Sequence, residues 1–190
     1  INLFQRAAVA SRRLFEVFDR PPEISDNPSG NTPTIITGNL RVENLSYTYT
    51  GSKTPALSDI SFNLNKGETV AIMGRVGSGK TTLLKQIVRL IDPKAETVWI
   101  DEHQVSDYPL SQLRAQVAMV PQDPFLFAEP LKDNLTYDDP NRMLEKIWQA
   151  ATSADLKNTI DEFPDKLDTL IGERGVTLSG GQKQRATLAR

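Results

Sequence analysis

Gly74-Arg75-Val76-Gly77-Ser78-Gly79-Lys80-Thr81 is the stretch from which the rest of the chain is read. Its spacing, glycine, four residues, then Gly-Lys-Thr, is that of a phosphate-binding loop. The apolar run Thr69-Val70-Ala71-Ile72-Met73 precedes it and predicts a strand. The run Thr82 to Leu90 follows and predicts a helix. Strand, glycine loop and helix are the context that gives the motif its chemistry. Glycines let successive backbone N–H groups turn inward, with no Cβ to hold phosphates away. The helix start adds the positive end of its dipole. Lys80 supplies a mobile cation for the outer phosphates, and the Thr81 hydroxyl can ligate Mg²⁺.

Composition sets bounds around this loop. The chain has 190 residues, 38% apolar and 24% charged, in keeping with a soluble globular protein of one or two domains. A net charge of −2 gives no reason to expect a polyanion as partner, so no nucleic acid is expected. The absence of cysteine excludes a disulfide, a thiolate zinc site and a catalytic thiol. No apolar run has the length of a membrane helix. The first residue is Ile1 rather than Met, which suggests a piece of something longer.

Working outward, residues 1–20 predict a helix. Leu3, Ala7, Ala10, Leu14 and Val17 recur at four-three spacing, with Phe18 beside the last. No capping residue precedes Leu3, so this helix is expected to continue upstream. Residues 21–39 contain Pro21, Pro22, Pro28 and Pro33 and read as a linker. Leu40 to Thr50 alternates in the β manner, and Leu57 to Leu64 supplies a second strand. Tyr47 and Tyr49 fit as strand aromatics. That is the commoner role of such residues; one of them can instead offer a flat ring to a nucleotide base.

Beyond the phosphate loop, Val98-Trp99-Ile100 predicts a short strand, and Asp101-Glu102-His103 a turn with His103 at the surface. Leu110 to Gln116 reads as a helix, and Val117 to Val120 as a buried strand. Pro121-Gln122-Asp123-Pro124 then breaks the strand, with Gln122 either a solvated loop glutamine or a ligand contact at a strand end. From Leu131 to Ile171 the pattern is helical, with helices expected over Met143 to Ala151 and Ala154 to Phe163. Gly172-Glu173-Arg174-Gly175 reads as a charged turn. In Leu178-Ser179-Gly180-Gly181-Gln182, Ser179 is a helix N-cap, and small residues at a helix start again suit an anion.

With both glycine motifs in hand, the chain resembles the nucleotide-binding domain of ATP-binding cassette (ABC) transporters over nearly its whole length. Gly74 to Thr81 matches the family's Walker A loop and Leu178 to Gln182 its signature motif. The resemblance implies an α/β P-loop NTPase with an N-terminal antiparallel β-subdomain and an inserted helical subdomain, about 124–185, within a domain spanning 40–190. It implies ATP and Mg²⁺ as ligands, with Gly74, Gly77, Ser78, Gly79, Lys80, Thr81 and Thr82 on the phosphates and Tyr49 on adenine. Thr81 and Gln122 would serve Mg²⁺, and Gln122 and Lys80 the hydrolytic step. Ser179, Gly180, Gly181 and Gln182 would face the nucleotide of a second domain in a head-to-tail dimer, homomeric or heteromeric.

Gly172 to Gly175 looks like the X-loop of the exporter subclass. Exporters also lead from their last membrane helix through a Pro-rich linker into this domain, as residues 1–38 would. The resemblance therefore implies a membrane-bound exporter with this domain on the cytoplasmic side and a transmembrane domain as partner. Glu96 and Glu102 depart from the family, standing where glycine is usual. The chain also stops before the Walker B carboxylates, the D-loop and the switch histidine, so these 190 residues alone are expected not to turn over ATP. The rival classes are another P-loop NTPase, such as a kinase or GTPase, and a non-transport cassette protein. The signature pentapeptide counts against the first, and the charge of −2 against a DNA- or ribosome-bound form of the second.

Overall fold

The computed structural model describes residues 2–26, 35–172 and 178–190. Glu173, Arg174 and Gly175 of the expected X-loop lie outside the described residues. The chain forms two compact units that divide between Ala118 and Met119.

In the first unit, helix α1 spans Asn2–Phe18, and Leu14, Val17 and Phe18 of its apolar stripe are exposed, as is Phe15 beside it. Strands β1 (Leu40–Tyr47), β2 (Leu57–Leu64), β3 (Val98–Ile100) and β4 (His103–Gln104) form one antiparallel sheet in the order β2-β1-β3-β4. Register pairs Val42 with Phe62 and also with Val98. The β1–β2 ladder shifts between Val42 and Leu45, with Asn44 in the left-handed region at φ 46°. This bulge explains why the buried residues of β1, Val42 and Leu45, are three apart instead of two: the extra residue restores Leu45 to the core face.

Two helices complete this unit, α2 (Lys80–Ile87) and α3 (Leu110–Gln116). Their Leu83 and Leu113 join Val42, Leu45, Leu57, Val98, Ile100, Val105 and Tyr108 in a single apolar core. Each such aliphatic side chain, fully buried, contributes roughly 1.5–3 kcal/mol. Tyr108 is completely buried, and its hydroxyl donates to the Ile100 carbonyl at 2.9 Å. Burial first, then the charges of Asp101 and Asp107, push its phenol up to about 12.

The second unit is helical. It contains α4 (Leu131–Leu135), α5 (Leu144–Ser153), α6 (Lys157–Glu162), a 3-10 turn (Lys166–Asp168) and α7 (Gly180–Ala189). Leu126, Leu131, Leu135, Ile147, Leu156, Ile160 and Ile171 build its core. Asn134, 1% exposed, holds the approach to α4: its side chain accepts from Phe127 N at 2.7 Å and donates to the Phe127, Glu129 and Pro130 carbonyls.

Four sequence expectations need correction. Thr69 to Met73 forms no strand, because no ladder partner lies beside it among the described residues. Val70 and Ile72 are accordingly 47% and 37% exposed. Val117 is extended, but Val117 to Val120 also lacks a ladder. An apolar run becomes a strand only when a neighbour takes its N–H and C=O groups. The helix expected from Ala154 is confined to α6, since Ala154 caps α5 and Asp155 turns at φ 54°. His103 is no turn residue: it opens β4, half-buried, with its ring edge-on to Tyr108 at 6.0 Å.

Candidate functional site

The glycine loop and the start of α2 form the first part of the site. Gly77 and Gly79 have φ of 81° and 89°, a region where a side chain strains the backbone. Gly79 also caps α2, and a Cβ there would lie 2.2 Å from the Ala56 carbonyl oxygen. Glycine is thus required twice over at this position, by conformation and by contact. At Gly74 a Cβ would meet Ser78 Oγ at 2.5 Å. Lys80 is the first residue of α2, and its ammonium folds back over the loop to donate to the Gly74 and Arg75 carbonyls, both at 2.8 Å. A cation therefore stands over bare backbone at a helix start. That donor set fits a polyphosphate, with the exposed Thr81 hydroxyl free to meet a hard cation.

Thr82 turns the other way. It is 7% exposed, and its Oγ1 lies 3.0 Å from the hydroxyl of Tyr49. Tyr49 itself is 42% exposed, with Tyr47 packed edge-on at 4.9 Å. Tyr47 also packs against the core of this unit. The structure thus separates the two tyrosines: Tyr47 serves the core, while Tyr49 presents ring surface beside the first turn of α2. Sequence reading had no means to find the Tyr49–Thr82 pair, because the residues are 33 apart in the chain.

The other glycine motif lies in the second unit, at the start of α7. Ser179 Oγ accepts from Gln182 N at 3.3 Å, and Gln182 Oε1 accepts from Ser179 N at 2.8 Å, a reciprocal capping box. The Ser-x-x-Gln spacing carries that signal in sequence. Gln182 is therefore held by its own helix cap. Gly180 and Gly181 are exposed, with ordinary backbone angles. A Cβ on Gly180 would meet nothing within 4 Å, and one on Gly181 only Arg185 Nη1 at 3.8 Å. Nothing in the fold asks for glycine at these positions, and each costs a helix roughly 0.5–1 kcal/mol relative to alanine. What they provide is uncovered backbone at a helix start.

Gln122 lies in a bend of the second unit with its side chain exposed. Among the described residues no cluster of His, Cys, Asp or Glu has the arrangement of a metal site. Glu96, one of the two departures from the family, sits at φ 61°, whereas at Glu102 the left-handed residue is its neighbour Asp101, at φ 52°. Glycine would be at ease at 96, and the chain instead accepts strain there.

The family model described as ABC transporter matches residues 57–190. An ATP-dependent lipid A-core flippase of Shewanella denitrificans is 40% identical over 189 residues, which cover 98% of this chain and 31% of the flippase. An uncharacterised ABC transporter ATP-binding protein of Bacillus subtilis is 36% identical over 190 residues, the whole of this chain and 32% of that protein. Among solved structures, a bacterial Atm1-family ABC exporter with ATP bound superposes with a TM-score of 0.88 at 29% identity, over 97% of this chain and 32% of that one. The chain thus spans about a third of the length of these relatives.

Proposed function

The chain belongs to the ABC transporter family, and from that premise we propose that it binds Mg-ATP and drives the export of a substrate across a membrane. Lys80, Thr81 and the bare backbone of Gly74 to Gly79 hold the phosphates and Mg²⁺. Tyr49 stacks on the base, and Gln122 serves the metal. Ser179, Gly180, Gly181 and Gln182 serve the nucleotide held by a second domain, of the same or a different chain, in a head-to-tail pair. A transmembrane domain completes the machine, with this domain on the cytoplasmic side. No helix among the described residues is long and apolar enough to cross a membrane itself.

The observation that carries this reading is the contrast between the two glycine motifs. Gly79 is demanded by its own fold, while Gly180 and Gly181 are not. Glycines kept against helix propensity, at an exposed helix start, answer to something that approaches from outside. The names of the relatives, a flippase and an exporter, agree with transport.

The test is Gly180→Ala in the full-length protein. Thermal stability should hold or rise by roughly 0.5–1 kcal/mol, while ATP-driven transport in vesicles falls steeply. Transport at the unaltered rate in this variant would remove the role assigned to the motif.

A further inference from the structure

Arg89 is 2% exposed, although arginine is seldom buried without a reason. It directly follows Val88, the C-cap of α2, and sits at φ 51°, where helix ends favour glycine. Among the described residues its guanidinium pairs with the Asp92 carboxylate, Nε to Oδ1 at 2.7 Å. Its Nη1 donates to the carbonyls of Ser106 at 3.3 Å and Tyr108 at 3.5 Å, and its Nη2 to that of Ser25 in the linker at 2.9 Å. The next linker residue is attached as well. Asp26 Oδ1 accepts from Leu110 N at 2.6 Å, the first N–H of α3. The N-cap position there is Pro109, which has no side-chain cap to offer. Asp26 therefore supplies, from 84 residues away, the acceptor that α3 lacks.

The Arg89 contacts tie the linker to the end of α2, and Asp26 ties the next linker residue to the start of α3. Lys80 begins α2 and Arg89 stands just past its end. An eight-residue helix is a stiff rod of about 12 Å. Any movement of α2 when Lys80 exchanges its carbonyl partners for a phosphate reaches Arg89 at the far end. From the structure we infer that Arg89 and Asp26 form a latch, positioning residues that report the state of the phosphate loop to the linker and, through it, to α1. The inference rests on the ATP reading of the loop. It makes the linker a part of the nucleotide response rather than a passive tether.

Linkage gives the latch a quantitative signature. If bound ATP favours the closed latch by some factor, breaking the latch must weaken ATP binding by the same factor. The experiment uses the full-length protein and leaves the buried Arg89 intact. Hydrogen exchange of the Leu110 amide, whose N–H the Asp26 carboxylate accepts, is followed with and without saturating Mg-ATP, and ATP affinity is measured on the same samples. ATP should slow exchange about five- to tenfold in the unaltered protein. Asp26→Ala, an exposed position, should abolish that slowing and weaken ATP affinity by a matching factor. Asp26→Asn keeps an acceptor oxygen and should restore both.

Equal exchange with and without ATP in the unaltered protein would overturn the latch, as would unaltered ATP affinity in Asp26→Ala. A mere structural role for Asp26 predicts faster exchange in both states and no matched loss of affinity. Failure of the unaltered protein to bind ATP would instead defeat the functional reading on which the latch rests.

Discussion

The hydroxyl of Tyr49 lies 3.0 Å from Oγ1 of Thr82, so the ring is fixed to the first turn of the helix that Lys80 begins. This anchor and the ring face can be tested separately. Tyr49→Phe loses the hydrogen bond and keeps the face, and ATP affinity should fall by no more than about 1 kcal/mol. Tyr49→Ala loses both and should cost roughly 1–3 kcal/mol, taking base–aromatic stacking as the guide. A larger loss from Tyr47→Ala, with the fold intact, would show that the wrong ring was chosen.

Gln86 is completely buried in α2, and among the described residues neither its Nε2 nor its Oε1 has a hydrogen-bond partner. An unpaired buried amide costs roughly 1–3 kcal/mol. Gln86→Leu fills similar volume without polar atoms. It should stabilise the protein by about 1–2 kcal/mol, seen as a melting temperature higher by roughly 2–8 °C. A lower melting temperature would mean that the amide is satisfied in solution.

Glu96 holds φ 61° while its N–H donates to Gln104 Oε1 at 2.7 Å. Glu96→Gly keeps that donor and removes the strain of the left-handed backbone. The gain, set against the greater freedom of glycine in the unfolded chain, should be about 0.5–1 kcal/mol by urea titration. Destabilisation would show that the side chain contributes more than its backbone strain costs.

Asp101 gathers residues 37–39 onto the turn between β3 and β4. Its carboxylate accepts from the backbone N–H groups of Thr37, Gly38 and Asn39, at 2.8, 3.2 and 3.0 Å, and from Thr37 Oγ1 at 2.5 Å. Burial would raise this carboxyl, but the bonds from Thr37 and Asn39 outweigh it and hold it at about 2, against an ordinary 3.8. A lowered folded value means stability that is present above the unfolded value and lost as pH falls through the folded one. The unaltered protein should therefore lose about 1 kcal/mol more than Asp101→Asn between roughly pH 4 and pH 2, after allowance for solvent screening. Parallel urea midpoints for the two proteins across that range would refute the assignment.

What the sequence disclosed, and what it hid, follows from how far each feature reaches along the chain. The glycine loop, the N-cap Ser179 and strands β1 to β3 are local patterns and were legible. The failed strand at Thr69 to Met73 was not, because a ladder needs a neighbour that no local pattern supplies. Arg89 looked like any arginine near a helix end. Only Ser25 from the linker and Ser106 and Tyr108 from beyond β4 reveal why it is buried. The pairing of Tyr49 with Thr82 was hidden for the same reason, since the contact joins residues that folding alone brings together.

The proposed role of Lys80 and the loop beneath it is to hold the phosphates of ATP. It is tested most directly by equilibrium titration of Mg-ATP against the unaltered full-length protein and Lys80→Ala. Loss of one charge-assisted contact should cost roughly 1.5–3 kcal/mol, about 10- to 150-fold in affinity. An affinity within about twofold of the unaltered protein, a difference of only about 0.4 kcal/mol, would contradict the account.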